Sequence, residues 1–137
     1  MWPAIHDIST DLEDPPQFFA EGPDLPAFDV KGLKESIESH YSHLANLALN
    51  MSPAEGFALV KLLVGERKWQ VLAEADTPFY KIQAVARTRL LRFADDVVVE
   101  VRPRSGGCTV AMRSRSRCGK GDLGTNARRI QRFLADL

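Results

Sequence analysis

The chain has 137 residues, 45% of them hydrophobic and 26% charged, with a formal net charge of zero. That length holds one ordinary domain, and the composition excludes a disordered chain; apolar runs of only a few residues exclude a bilayer-spanning helix, and no signal-peptide pattern is expected. The balance hides an asymmetry: residues 1–80 carry 13 acids and 5 bases, whereas residues 81–137 carry 5 acids and 13 bases, 11 of them arginine.

Residues 1–30 hold seven acids, no Lys or Arg, and five of the eight prolines. Proline at this density forbids a helix and keeps the chain extended. Ile5, Ile8, Leu12, Phe18, Phe19 and Phe28 give it apolar anchors. The segment reads as an acidic arm that belongs to the domain, with residues 31–137 forming a single α+β body. Val30, Leu33, Ile37 and Tyr41 recur at helical spacing and predict a short helix over 31–41. Leu44, Leu47, Leu49 and Met51 lead into a strand near 45–51.

Ser52-Pro53-Ala54-Glu55 is a helix start, with Ser52 as N-cap, Pro53 in the first turn and Glu55 completing a capping box. Phe57, Val60, Leu63 and Val64 give the helix over 53–66 its buried stripe. Strands follow: Trp69 to Ala75, a turn at Asp76-Thr77-Pro78, then Tyr80 to Phe93 as one long strand or two pieces. Asp96 to Arg102 alternates, with Val97, Val99 and Val101 on one face. Ser105-Gly106-Gly107 makes a hairpin, and Cys108 to Cys118 returns. A loop centred on Ser105 and Gly106 sets Val101 opposite Val110, Val99 opposite Met112, Val98 opposite Arg113 and Asp96 beside Arg115. Both faces make chemical sense in that register. Arg113, Arg115 and Arg117 then form a row that repels itself unless something covers it.

The chain ends in a helix. Asp122 is its expected N-cap, and Leu123, Ala127, Ile130, Leu134 and Leu137 its expected core stripe; Asp122, Asn126, Arg129 and Phe133 lie on a second line beside it. The order predicts an α+β fold: a curled antiparallel sheet of about four to five strands, packed against a central and a C-terminal helix, with an extended N-terminal arm.

Three stretches resemble a family of bacterial and plant proteins known as domain of unknown function 1499. They are Ile5-His6-Asp7-Ile8-Ser9-Thr10-Asp11 with Asp14-Pro15-Pro16 and Phe18; Phe93-Ala94-Asp95-Asp96-Val97-Val98-Val99; and Arg113-Ser114-Arg115-Ser116-Arg117 with Gly119, Asp122-Leu123-Gly124, Asn126, Arg129-Ile130 and Phe133-Leu134. The sequence departs from the family pattern at Arg89-Leu90-Leu91-Arg92 and around 31–43. The resemblance implies that the arm is part of the domain and that membrane-associated or exported contexts occur among such proteins. It implies no activity.

Several motifs invite a chemical reading. His6-Asp7 is a poor base and orienter, because neighbours in an extended segment point to opposite faces. His40 and His43 lack further ligands at metal spacing. Cys108 and Cys118 share a strand face but stand about 33 Å apart along it, too far to bridge. Gly119-Lys120-Gly121-Asp122-Leu123-Gly124 lacks the Ser/Thr and the parallel strand of a phosphate loop. No catalytic set, metal or cofactor is expected. What remains is a constellation of Arg113, Arg115, Arg117, Asp122, Asn126 and Arg129. It reads either as an anion pocket where strand meets helix or as a structural polar network. The expected function is a non-catalytic binding module for an anionic small molecule or lipid-like, amphiphilic ligand. The alternative is a protein-interaction or scaffold domain, and a hydrolase is a weak third. Nucleic acid is not an expected partner. The residues name no oligomeric state and no compartment.

Overall fold

The structure is a computed structural model and describes residues 5–22, 24–117 and 124–137. Its elements are β1 (Asp7–Ser9), α1 (Val30–His40), β2 (Leu47–Leu49), α2 (Pro53–Glu66), β3 (Gln70–Ala75), β4 (Tyr80–Arg87), β5 (Ala94–Arg104), β6 (Gly107–Ser116) and α3 (Thr125–Ala135). The fold is α+β. Six antiparallel strands form one open sheet in the order β1-β6-β5-β4-β3, with β2 pairing β6 beside β1.

The sheet has two strands more than its four long ones, and both are three residues long. β1 comes from the Pro-rich arm: its Asp7 and Ser9 face Arg115 and Arg113 across the ladder. The hairpin of β5 and β6 has the register that its alternation predicts: Val99 opposes Met112, Val101 opposes Val110, and Asp96 opposes Arg115. The expected strand from Tyr80 to Phe93 instead ends at Arg87. Beyond it a turn is closed by Thr88 N donating to Phe93 O, Phe93 N to the Thr88 hydroxyl, and Arg92 N to Thr88 O.

α2 begins as its sequence dictates. Ser52 Oγ accepts from Glu55 N, and Glu55 reaches back to Ser52 N. Its Phe57, Val60, Leu63 and Val64 are buried on the sheet face carrying Val97, Val99, Val101, Val110 and Met112. Each such aliphatic side chain, fully enclosed, contributes about 1.5–3 kcal/mol by burial. Gly56 permits this approach: a Cβ there would stand 2.7 Å from Cys108 Sγ.

α3 differs from expectation in two ways. Its N-cap is Gly124, in the left-handed region at φ 78°, with no side-chain cap; the expected cap Asp122, with Leu123 and Cys118, lies outside the described residues. Its buried residues are Asn126, Ala127, Ile130 and Phe133, while Leu134 and Leu137 are half-buried. The helix is thus turned toward the line that looked polar. Phe133 draws it there by stacking on Trp69 at 5.3 Å, and Asn126 can be buried because the sheet supplies its hydrogen bonds.

The central strands are buried on both faces. Helices α2 and α3 cover one. The arm covers the other, where Phe19 N and Ala20 N donate to the buried Gln83 side chain of β4. This cover explains how β5 runs seven consecutive buried residues, Asp95 to Val101, in an antiparallel sheet.

Candidate functional site: a polar network divided by the sheet and an arginine-lined cleft

Side chains alternate along β6, so Arg113, Arg115 and Arg117 point to the arm face while Ser114 and Ser116 point to the helix face. The predicted constellation is therefore split by the sheet. Arg113, Arg115 and Arg117 lie on one side. Asn126 and Arg129 of α3 lie on the other. Asp122 is outside the described residues.

On the arm face the arginine row is covered and matched. Arg113 is wholly buried. Its Nε donates to Asp7 Oδ1 at 2.9 Å, its Nη2 to Asp7 Oδ2 at 2.7 Å and to Pro26 O at 3.0 Å, and its Nη1 to Pro16 O at 3.2 Å. The rings of Phe18 and Phe28 stand 4.2 and 5.3 Å from the guanidinium carbon. One side chain thus holds three points of the arm. A planar fork with five donors can do this where an ammonium cannot.

Arg117 grips the buried Asp96 with two bonds of 2.8 Å, and that hydrogen bonding holds the guanidinium above its usual value. The ion partner of Asp96 is thus the diagonal neighbour, not the directly opposed Arg115, whose Nε lies 3.6 Å from Asp7. A third contact ties the arm at Asp11, which accepts from Arg102 at 2.7 Å, Asn46 at 2.9 Å, and the backbone of Glu13 and Asp14. Burial alone would raise the Asp11 carboxyl; these four donors outweigh it and hold the group below its ordinary value. Glu100 completes the set on Arg102 at 2.7 Å.

On the helix face, Asn126 is fully buried. It accepts from Ser114 Oγ at 2.5 Å and from Arg129 Nη1 at 3.0 Å, and donates to Ser116 Oγ at 2.8 Å. Arg129 Nη1 also lies 2.8 Å from Asp95 Oδ2. Ser116 N donates to His6 O, so β1 closes onto the same corner. The two serines, Asp7 and Asp95 lie outside the constellation predicted from sequence; as chemistry, Asp7 figures there only beside His6 as a poor orienter. The alternation Arg-Ser-Arg-Ser-Arg is the signal that would have found the serines, since one row must face the helix if the other faces the arm.

Arg129 reaches an open concavity. A cleft of about 390 Å³ lies between α3 and the ends of β3 and β4. It is lined by Arg67, Trp69, Arg87, Thr88, Arg89, Thr125, Arg128, Arg129 and Arg132. Among the described residues, six of these nine are arginines and none is a carboxylate. Arg67 pairs with Asp136 at 2.7 Å and Arg129 with Asp95. Arg87, Arg89 and Arg132 meet no carboxylate within 4.0 Å among the described residues. The sequence hid this cleft because its arginines come from three separate places in the chain.

Among the described residues no group of three or more His, Cys, Asp or Glu is placed to hold a metal, and no helix is long and apolar enough to cross a membrane. Cys108 is a free thiol at the back of the core, and burial pushes it up from its ordinary value. No curated protein matches the chain. Residues 7–137 match the family described as "Protein of unknown function (DUF1499)". With β1, the arginine row and α3 all inside that match, the chain belongs to the DUF1499 family of proteins of unknown function.

Proposed function

We propose that the protein is a non-catalytic binding module for an anionic, phosphate-like ligand, held in the cleft between α3 and the ends of β3 and β4. One observation carries this: six arginines converge on one concavity, and Arg87, Arg89 and Arg132 have no carboxylate partner among the described residues. Such a site attracts anions and suits planar, two-pronged recognition of phosphate.

Of the constellation first singled out, Arg129 is assigned to this ligand, steadied by Asn126 and Asp95. Arg113, Arg115 and Arg117 are assigned to architecture, because their charges meet Asp7 and Asp96. The protein-interaction alternative is supported by a smaller feature, a shallow hollow of about 170 Å³ between α2 and the chain end, bordered by Leu59, Leu62 and Leu137.

The test is calorimetric titration with inorganic pyrophosphate. Saturable binding is expected, weakened about tenfold or more by Arg132→Ala or Arg87→Ala. Both side chains are exposed at the surface, so the variants should fold normally. Absence of saturable binding, or binding indifferent to both variants, refutes the assignment.

A further inference from the structure

We propose that the turn between β4 and β5 is a membrane-docking tip, which inserts Leu90 and Leu91 into an anionic bilayer surface while the arginines beside it bind lipid phosphates. This rests on the anion-binding reading of the cleft and names the source of the anion.

Leu90 is 90% exposed, Leu91 65% and Phe93 49%. Exposed apolar residues scattered singly need no explanation, but three within four residues at one apex mark an interaction surface. The sheet does not need them, because β4 has already ended at Arg87 and β5 begins at Ala94. The apex is presented by a closed turn. Thr88 N donates to Phe93 O, Phe93 N to Thr88 Oγ1, and Arg92 N to Thr88 O, with Arg92 at φ 58°. The two leucines are therefore held outward at the end of a hairpin.

Charge selects the occupant. Arg87 and Arg89 line the basic cleft, and Leu90 follows Arg89 directly, so the apolar tip and the cleft are one continuous surface. Arg92 flanks the other side. From Arg87 to Ala94 the turn carries three arginines and no acid. An apolar apex ringed by bases matches the layering of an anionic bilayer, whose acyl region lies beneath a negative headgroup plane. Neither signal alone holds a protein at a bilayer firmly, whereas an apolar insertion together with a basic patch does. An acidic partner surface without an apolar patch would use the bases but leave two leucines in water.

The test is co-sedimentation of the full chain with phosphatidylserine–phosphatidylcholine vesicles, beside vesicles of phosphatidylcholine alone and the pyrophosphate titration above. The full chain is expected to bind the anionic vesicles and not the neutral ones, and to release as salt rises. Leu90→Ser with Leu91→Ser should lower the partition coefficient about tenfold or more while leaving pyrophosphate binding unchanged. The exposed leucines make that variant safe for folding. If the leucine variant binds anionic vesicles as the parent does, or if the parent binds pyrophosphate but no vesicle, the docking tip is overturned and the cleft assignment stands. If neither probe binds, both fail.

Discussion

Replacing Asp7 with alanine should be among the most damaging single changes to the fold, and the reason is the company it keeps. Arg113 has no exposed surface. Two of its four described hydrogen bonds, at 2.9 and 2.7 Å, go to the Asp7 carboxylate, and the other two go to backbone carbonyls of the arm. Asp7→Ala leaves the guanidinium in place, buried, and without its counter-charge. Breaking a buried pair in this way costs about 3–5 kcal/mol, most of it the penalty of the stranded charge. For a chain of this length that corresponds to a fall in Tm on the order of 10 °C or more. Removing both charges together should cost less than the two single losses added, because the double variant Asp7→Ala, Arg113→Met buries no ion and keeps an apolar stem between Phe18 and Phe28. Denaturant unfolding of the four proteins in this cycle gives the numbers. A loss below about 1 kcal/mol for Asp7→Ala, or strictly additive single effects, would refute the claim that this pair fastens the arm to the sheet.

Gly56→Ala should destabilise by about 1–3 kcal/mol although alanine is the better helix former, since its Cβ would press on Cys108 Sγ; a gain in Tm would contradict that packing. Ile130→Ala should cost about 2–5 kcal/mol, because the residue has no exposed surface; a loss below half a kcal/mol, on the order of a minor surface change, would mean α3 is not docked. Asp11 is held below its ordinary value of 3.8 in the folded protein, so its contribution is present above that pH and fades as pH falls through the lower folded value. Asp11→Asn should therefore be less stable than the parent at neutral pH, with the gap narrowing in acid; a gap that widens below the ordinary value would contradict the assignment.

The long elements were legible because their local signals and their packing agree. The box at Ser52 and Glu55 fixes the start of α2, and the Val alternation in β5 against Val110 and Met112 in β6 fixes the hairpin register. The arm was legible as extended, but its strand was not. A three-residue pairing such as Asp7–Ser9 carries no periodicity, and it forms because the edge of β6 is waiting for it. α3 buries Ala127 and Ile130 as expected but is rotated toward Asn126, which counts as polar in any pattern, whereas Ser114 and Ser116 make it a core residue. The same blindness shaped the site. Arginines 113, 115 and 117 stand close in sequence and drew the eye, but the structure spends them on carboxylates. Those lining the cleft are brought together only by the packing of α3 against the sheet ends.

The central claim is that anions bind at the α3 cleft and not along the arginine row of β6. Amide and indole shifts in a ¹H–¹⁵N spectrum, recorded through a titration with inorganic phosphate, separate the two directly. The account predicts saturable shifts at Trp69, at Arg87 to Arg89 and at Thr125 to Arg132, with Asp7 and Arg113 to Arg117 unmoved. Shifts centred on Asp7 and Arg113 to Arg117, with the cleft silent, would contradict it.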